Sequence, residues 1–503
     1  MHLPRVMAAL RSALLLGTFG LLTVAAACDA ASSNDGQGAT GSTDPTSPGS
    51  PGGSGPSSSG GPASSGGGSS SSGGPSPDDD AAVPYQHFDV NHVLSTGQSN
   101  SVAHEGRPVL TNEQPFTNLM FDVGVMTSGV CEREGCRQYE KPSSFVPLHE
   151  GDTFWYPVET MSSGLANEAA MLAKTKYQKA SHDVLVSLAG RNGLTYWCLR
   201  KGGCDFLDPT YLNAFDENMR QVDDAKAIAT AAGKSYVVRA VTAVHGESDD
   251  YAWATGTQEV PIAGTDGTPN AINTYADALV EWQKDYESGV KAKTGQTLDV
   301  PLLISQFSGW NDIAHSAVTQ FQFEAMMRTK YKVTIVTPGY IMDWADDCRH
   351  YSNHGERHLG EYFGKAYSRI VLEGKKWKPL HPTNVTITGS EITAKFYVPV
   401  PPLVLDTQRV TDPGNYGFEV VDAANNPIAI TNVALAGPDT VKITLAAAPA
   451  AKPKLRYAFT GVPHTCPGRF VGPRGNLRDS DATPSQYGYE LFNWGVHFEV
   501  PVQ

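Results

Sequence analysis

From residue 88 to about residue 376, short apolar runs rich in β-branched residues alternate with stretches of helical periodicity. The apolar runs predict five strands, at Val90–Thr96, Asp183–Ala189, Tyr236–Val244, Pro301–Gln306 and Tyr331–Pro338. Helical spacing predicts the intervening and following helices, at Thr210–Ala232, Asn270–Lys293, Asp312–Lys330 and 359–371. Because parallel strands need crossovers of this length, the alternation predicts a doubly wound α/β fold around a five-stranded parallel sheet.

The pattern changes after residue 376 to alternating strands separated by Pro and Gly turns. The predicted strands are Asn384–Ile387, Ala394–Val398, Gly417–Val421 and Thr440–Leu445. We therefore predict two folded domains, an α/β domain over 83–376 and a β-sandwich over 377–503. The second domain offers no constellation of acid, base and nucleophile, so we expect it to have a structural or glycan-binding role.

The first 28 residues have the form of an export signal. Arg5 and Arg11 precede an apolar stretch over 13–27 that is too short for a comfortable transmembrane helix. The stretch ends in the letters AAAC, which resemble a bacterial lipoprotein cleavage box and predict lipidation of Cys28. The alternative is an ordinary secretory signal cut after Ala27. We expect an exported protein, held at the cell envelope by its lipid or secreted if it is not lipidated.

Residues 29–82 form the predicted linker. They consist mainly of Gly, Ser and Pro, and between residues 31 and 80 there is no Val, Ile, Leu, Met, Phe, Trp or Tyr. Such a segment buries too little apolar surface to offset the entropy of ordering. A Gly/Ser coil of this length has a typical end-to-end reach of about 40 Å.

The charge balance limits the partners of this chain. Its formal net charge is −14, from 38 basic and 52 acidic residues, and no basic run occurs. Phosphate binding needs a concentrated basic surface, so we expect no nucleic-acid partner. No apolar run after residue 30 is long enough to span a bilayer, so contact with a membrane would be through the lipid anchor alone. We expect a monomer.

Six cysteines follow Cys28, an even number that suits disulfide bonding in an oxidising compartment. Two close pairs have the spacing of small local loops, and elimination leaves the two remaining cysteines to pair with each other. The predicted disulfides are Cys131–Cys136, Cys198–Cys204 and Cys348–Cys466. The last of these would tie the loop after the fifth strand to the β-domain.

A nucleophile is predicted at the end of the first strand, which runs into Gly97-Gln98-Ser99-Asn100-Ser101. A serine directly after a core strand, beside a glycine that permits a tight turn, projects its hydroxyl into the crevice at the sheet edge. Glycine and serine also form plain turns, so this signal gains its weight from the other strand ends.

The second and third strands end in glycine and polar residues at the same sheet edge. After the second strand we prefer Gly190, which comes directly off the strand, over Gly193. The third strand ends in His245-Gly246-Glu247-Ser248-Asp249. Groups at these positions are placed to donate hydrogen bonds to an oxyanion.

The loop after the fifth strand contains Asp347 and His350. This Asp-x-x-His spacing lets a carboxylate hold one imidazole nitrogen while the other nitrogen faces a serine as general base. The ordered set of serine, glycine, histidine and Asp/His pair therefore predicts a serine hydrolase.

The blocks GQSNS, HGESD and DCRHYSNHGERHLGE, in this order, resemble the SGNH (GDSL-type) hydrolases, and most closely the sialate O-acetylesterase-like carbohydrate esterases. The similarity covers about residues 88–373 and implies a flavodoxin-like sheet. It implies Ser99 as nucleophile, His350 as general base and Asp347 as its orienting acid. It also implies an oxyanion hole formed by the Ser99 amide, Gly190 and a side chain of the third block, where His245 stands in place of the usual Gln.

The resemblance thus implies an exported serine esterase that removes O-acetyl groups from carbohydrates through an acyl-enzyme, without metal or cofactor. Gln98, Asn100 and Glu247 are the candidates for contact with an acetylated glycan or a small acetyl ester. The alternative is a non-catalytic, glycan-binding surface lipoprotein built on an esterase scaffold.

A zinc hydrolase is the other alternative, since His350, His354 and His358 recur at intervals of four, with Glu356 as the base. On a helix these imidazoles spread over about 12 Å at 1.5 Å per residue, too far for one ion to bind all three. We expect His354 and His358 to lie on a solvated face.

Overall fold

The computed structural model describes residues 82–128, 138–153, 156–203, 213–255, 260–308 and 314–503. All of these residues belong to one compact unit. The signal segment with Cys28, nearly all of the linker and the pair Cys131–Cys136 lie outside the described residues, so the predictions made for them stay predictions.

The strands are, in chain order, β1 Val90–Gly97, β2 Leu119–Phe121, β3 Phe145–Pro147, β4 Gly151–Asp152, β5 Pro157–Val158, β6 Val184–Gly190, β7 Tyr236–Val244, β8 Leu302–Gln306, β9 Val333–Pro338, β10 His381–Thr388, β11 Glu391–Tyr397, β12 Val404–Leu405, β13 Phe418–Val421, β14 Ile430–Leu435, β15 Thr440–Leu445, β16 Lys454–Tyr457, β17 Leu477–Arg478 and β18 Phe498–Pro501. The α-helices are α1 Met161–Thr175, α2 Tyr196–Leu199, α3 Ala214–Ala231, α4 Glu247–Thr255, α5 Tyr275–Thr294, α6 Ala317–Arg328 and α7 Asn353–Val371.

The central sheet has seven strands in the order β3-β2-β6-β1-β7-β8-β9. All five predicted strands are present as β1, β6, β7, β8 and β9, and they pair in parallel. Their order, second-first-third-fourth-fifth along the chain, is that of flavodoxin-like sheets. The predicted count of five is too low, because β2 joins β6 in parallel and β3 adds an antiparallel edge.

Side-chain caps set the observed helix starts. Asn213, Ser316 and Ser352 each accept a hydrogen bond from a backbone N–H in the first turn of α3, α6 and α7. Thr274 and Asp277 form a reciprocal capping box at the start of α5. Because these side chains satisfy otherwise unpaired N–H groups, α3, α5 and α6 begin a few residues later than apolar spacing predicts, and α7 begins earlier.

Helix α1 was not predicted from sequence. It packs closely against α7, where Gly164 and Gly360 face each other. A Cβ on Gly164 would lie 2.3 Å from the Arg357 carbonyl oxygen, and one on Gly360 would lie 2.3 Å from the Met161 carbonyl oxygen. This close backbone approach, together with the buried side chains of Met161, Leu165 and Leu172, holds the helix in place.

After α7 the elements are antiparallel strands, with β10-β11-β15-β14 in one sheet and β13-β16-β18 in another. Phe396 of the first sheet packs against Phe418 and Phe498 of the second. The apolar core continues from this region into the α/β part of the molecule. The structure thus combines a large, mostly parallel sheet with separate antiparallel sheets, and the domain boundary at 376 remains a prediction.

Two of the three predicted disulfides involve cysteines that the structure describes. The disulfide Cys348–Cys466 is present, with its Cα atoms 4.7 Å apart. Cys198 is disulfide-bonded as well, while its predicted partner Cys204 lies outside the described residues.

Among the helices of the described ranges, none is long and apolar enough to cross a membrane.

Candidate active site

Ser99 lies at the carboxyl end of β1, two residues beyond Gly97. Gly97 has φ +133°, and a Cβ there would lie 2.2 Å from the Val244 carbonyl oxygen, so glycine is required for the chain to turn at this point. The turn is closed by the Ser101 N–H, which donates to the Gln98 carbonyl oxygen at 2.9 Å. Ser99 is 6% exposed and lies at the carboxyl ends of the parallel strands, where ligands bind in sheets of this kind.

Asp347 and His350 lie in the loop over 343–352, between β9 and α7. Backbone hydrogen bonds close this loop, from the Ala345 N–H to the His350 carbonyl oxygen at 2.8 Å and from the Ser352 N–H to the Asp343 carbonyl oxygen at 3.0 Å. Within it, the His350 Nδ1–H donates to Asp347 Oδ2 at 2.5 Å. The structure therefore brings the predicted acid and base together, with His350 Nε2 as the nitrogen for proton transfer.

Asp347 is held as a carboxylate. Its partial burial raises the pKa, but the hydrogen bond from His350 and those from the backbone N–H groups of Arg349 and His350 outweigh that effect and lower the pKa of Asp347 to about 2. A carboxylate that accepts several hydrogen bonds is stabilised in its charged form. Asp347 thus remains negative wherever imidazoles ordinarily titrate, near pH 6.5.

Asn100 joins the Ser99 turn to the His350 loop. Its Nδ2 donates to the Arg349 carbonyl oxygen at 3.2 Å, and its Oδ1 accepts the Tyr351 N–H at 3.0 Å. Asn100 directly follows Ser99, while Arg349 and Tyr351 flank His350. Ser99 and His350 therefore lie on neighbouring loops, although no hydrogen bond between their side chains is present in the described part of the chain. Such bonds often tighten only when substrate binds.

A second contact places the same two residues together, through His104. The His104 N–H donates to the Ser99 carbonyl oxygen at 3.0 Å, and the His104 ring lies 4.7 Å from the His350 ring, centroid to centroid. Sequence reasoning missed His104, because it belongs to none of the three blocks and its neighbour is distant in the chain. Only the fold brings the two imidazoles together.

Gly190 ends β6 and lies opposite Gly97 in the register between β1 and β6. A Cβ on Gly190 would lie 2.3 Å from Ser101 Oγ and 2.5 Å from a methyl group of Val102, so glycine is needed for this close packing. Gly193 has open space around it and φ +69°, as in a plain turn. The preference for Gly190 fits its position beside the Ser99 turn, and its role as an oxyanion donor stays a prediction.

His245 does not offer a free nitrogen to the cleft. Its Nδ1 lies 2.7 Å from the Tyr275 hydroxyl, and its Nε2 lies 3.2 Å from the Leu194 carbonyl oxygen and 3.4 Å from Asp249 Oδ2. Burial lowers its pKa to about 4. Because both ring nitrogens have protein partners, the geometry does not favour the predicted oxyanion role of this side chain.

The three residues predicted to contact substrate are turned into the protein. Gln98 Oε1 accepts the N–H of Ser248, at 3.0 Å, at the start of α4. Asn100 Nδ2 donates to Glu247 Oε1 at 2.7 Å, and Asn100 is fully buried. Burial raises the pKa of the Glu247 carboxyl. These contacts favour a role in holding the site loops over the predicted contact with substrate.

The histidines considered for zinc do not converge. His354 is exposed and bonded to the Tyr489 hydroxyl at 2.9 Å, as the prediction of a solvated face requires. His358 was wrongly predicted on that face, since it is buried, stacked on Tyr489 and bonded to the Glu490 carbonyl oxygen. Glu356 is buried too. Within the described ranges, no group of three or more His, Cys, Asp or Glu side chains is placed to hold a metal ion.

A cavity of about 600 Å³ lies at the other edge of the sheet. It is lined by Val83, by Pro301 and Lys332 just before β8 and β9, and by Trp377. These positions are at the amino ends of the parallel strands, away from Ser99, so this cavity is not part of the candidate site.

No protein-family model matches the chain, and no curated protein matches its sequence. Among solved structures, the chain is similar to a carbohydrate acetylesterase from Xanthomonas citri (TM-score 0.44, 12% identity, covering 82% of this chain and 80% of that one). It is also similar to Est24, a carbohydrate acetylesterase from Sinorhizobium meliloti (TM-score 0.27, 10% identity, 56% and 99%), and to an aryl esterase from M. smegmatis (TM-score 0.27, 12% identity, 55% and 97%). All three TM-scores are below 0.5, so the chemistry of this chain is argued from its own residues.

Proposed function

We propose that this chain is a serine esterase that removes O-acetyl groups from carbohydrates. The observation that carries the proposal is the placement of Ser99 beside His350, through Asn100 and His104, with Asp347 bonded to the far nitrogen of the imidazole. The identity of the acyl group as acetyl, and of the alcohol as a sugar, is inferred from the resemblance of the three sequence blocks to carbohydrate esterases.

In the first half of the reaction, Ser99 Oγ attacks the carbonyl carbon of the acetyl ester while His350 Nε2 accepts the hydroxyl proton. The developing imidazolium is stabilised by the Asp347 carboxylate at 2.5 Å. The bond from the carbonyl carbon to the sugar oxygen then breaks, and His350 returns its proton to that oxygen. The sugar leaves with a free hydroxyl, and Ser99 carries the acetyl group.

In the second half, a water molecule attacks the acetyl-serine ester, and His350 accepts one of its protons. Collapse of the tetrahedral intermediate breaks the bond to Ser99 Oγ, which takes the proton back, and acetate is released. In both halves negative charge develops on the carbonyl oxygen. We assign its stabilisation to the backbone N–H groups of Ser99 and Gly190, at the carboxyl ends of β1 and β6.

The test is acetate release by the purified chain across a panel of acetylated glycans and small acetyl esters. Turnover is expected without added metal, and Ser99→Ala should abolish it. Ser390→Ala, which removes the same hydroxyl from the β10–β11 turn, serves as the matched control and should retain full activity. Undiminished turnover in Ser99→Ala would refute the proposal, and glycan binding without any turnover would support the non-catalytic alternative.

We further propose that the protein is exported and lipidated at Cys28, on the strength of the AAAC sequence after the apolar stretch. Expression of the full chain in a bacterial host should place it in the membrane fraction. Cys28→Ser should move it to the soluble exported fraction, and an unchanged distribution would contradict lipid anchoring.

A further inference from the structure

We propose that Asn100 is the positioning residue that sets Ser99 against His350, and that Glu247 fixes the orientation of the Asn100 amide. The inference rests on the proposed function, because the placement of Ser99 relative to His350 matters for turnover only if Ser99 and His350 react. It gives Asn100 and Glu247 a role other than the substrate contact expected from sequence.

The Asn100 side chain connects three loops that follow three strands of the sheet. It belongs to the turn after β1, its Nδ2 bonds Glu247 Oε1 at 2.7 Å after β7, and it bonds the backbone of Arg349 and Tyr351 after β9. Each amide atom is used, and the residue is fully buried. A shift of this side chain would therefore move the Ser99 turn and the His350 loop relative to each other.

Glu247 determines which way the amide faces. Nδ2 is a donor and Oδ1 an acceptor, and only the orientation with Oδ1 toward the Tyr351 N–H satisfies the backbone on both sides of His350. Glu247 Oε1 accepts a hydrogen bond from the Asn100 amide, and only Nδ2 can donate one, so Glu247 selects the Nδ2 side. An amide reversed at this site would place a donor against the Tyr351 N–H.

Glu247 itself is costly to bury. It is 6% exposed, and its Oε2 has no hydrogen-bond partner within the described residues. A buried polar atom without a partner costs stability, so a purely structural need would be met better by an apolar side chain. The contact of Oε1 with Asn100 is the function that the position serves.

The experiment is an exchange of the two side-chain types, measured in the full chain at pH 8. Asn100→Asp places two carboxyl groups face to face and should lower kcat about 100-fold, the loss typical of a catalytic group displaced by about 1 Å. In Glu247→Gln the Gln oxygen still accepts from Asn100, so kcat should fall less than fivefold, and Glu113→Gln, at an exposed position, is the matched control. In the double variant the Gln amide donates to the new Asp, and kcat should recover at least tenfold over Asn100→Asp, with KM changed less than threefold throughout.

A double variant no more active than Asn100→Asp would overturn the inference, as would an Asn100→Asp variant with normal kcat. If Asn100→Asp does not fold by circular dichroism, Asn100→Ala takes its place; a folded Asn100→Ala with normal kcat overturns the inference, and one with kcat lowered about 100-fold upholds it. The proposed function fails separately, through an active Ser99→Ala variant.

Discussion

At the scale of single residues, Asp347 differs from the other carboxyl groups around the site because it is kept ionised. Its pKa is about 2, although burial raises it, because His350 and two backbone N–H groups donate to it. Asp347 therefore stays ionised between pH 5 and 7, and a change of turnover over this range cannot come from its protonation.

Asp347→Asn should lower kcat by about 10²–10⁴-fold, because an amide no longer stabilises the imidazolium and no longer fixes the tautomer with Nε2 as base. KM for a small acetyl ester should change less than threefold. Asp346→Asn removes the same charge one residue earlier, without altering the bond to His350, and should retain activity. Steady-state kinetics of both variants make the test, and equal losses in the two would contradict an orienting role.

For His245 we expect a substitution to lower stability and to leave turnover nearly unchanged. The ring nitrogens of His245 contact the Tyr275 hydroxyl and the Leu194 carbonyl oxygen. His245→Phe should therefore lower the free energy of unfolding by about 1–3 kcal/mol, as expected when buried groups lose their partners. Turnover of the folded variant should fall less than threefold, whereas loss of an oxyanion donor costs about 10²–10³-fold. Urea denaturation and kinetics measure both effects. A large loss of turnover at unchanged stability would restore the oxyanion role.

The placement of Ser99 after a strand and the contact of Asp347 with His350 could be predicted because their signals are local, a serine directly after a strand and a carboxylate three positions before an imidazole. The surroundings of His245, and the presence of His104 beside His350, depend on residues far apart in the chain. Spacing along the sequence carries no information on such neighbours, so the contacts of Gln98 and Asn100 with Ser248 and Glu247 could not be predicted from it.

At the scale of elements, the loop over 343–352, which contains Asp347 and His350, is fixed by contacts within the loop and with the C-terminal region. Backbone hydrogen bonds close it, and the disulfide from Cys348 to Cys466 ties it to the segment between β16 and β17. The Arg469 side chain adds a bond to the Ile341 carbonyl oxygen at 2.6 Å. The C-terminal region therefore supports the loop that carries the acid and the base.

Cys466→Ser should lower kcat by about tenfold or more, since small displacements of a catalytic group are costly in rate. KM should change little. Peptide mapping without reduction should show the bridge in the unmodified protein, and reduction followed by alkylation should reproduce the loss. Normal kcat in Cys466→Ser would show that the bridge does not support the loop.

Element prediction succeeded where periodicity is strong and failed where it is weak. The five long strands and the four amphipathic helices were expected from their patterns, with boundaries shifted by the caps at Asn213, Thr274, Ser316 and Ser352. Strands β2 and β3 have three residues each, too few for a recognisable alternation. Helix α1 is rich in small residues and is stabilised by its close approach to α7, which a single sequence does not reveal.

At the scale of the whole molecule, buried ionisable groups set the dependence of stability on pH. Burial raises the pKa of several carboxyl groups, to about 8 for Glu150 and Glu168 and to about 7 for Glu361 and Asp250. The folded state holds these protons more tightly than the unfolded state does, so stability is lost as the pH rises toward 8. Buried histidines have the opposite effect below pH 6.5, because burial lowers their pKa, to about 3 for His92, His182 and His358 and to about 4 for His381 and His497.

Above about pH 7.5 these histidines are neutral in the folded and the unfolded state, so Tm should fall as the pH is raised from 7.5 to 8.5 because of the carboxyl groups. Glu168→Gln keeps an acceptor for the Gln486 N–H but removes the titrating group, and the fall in Tm should become smaller. Glu113→Gln, at an exposed position, is the control and should leave the fall unchanged. Differential scanning calorimetry measures the difference, and a Tm that rises over this range would contradict the assignment.

Covalent labelling shows directly whether Ser99 is a nucleophile activated by His350. A fluorophosphonate that phosphonylates activated serines should add one equivalent to the full chain, and peptide mass spectrometry should place the adduct on Ser99. His350→Ala should slow the labelling by at least 100-fold while the variant remains folded by circular dichroism. An adduct on another serine would contradict the role of Ser99 as nucleophile, and labelling at an unchanged rate in His350→Ala would contradict its activation by His350.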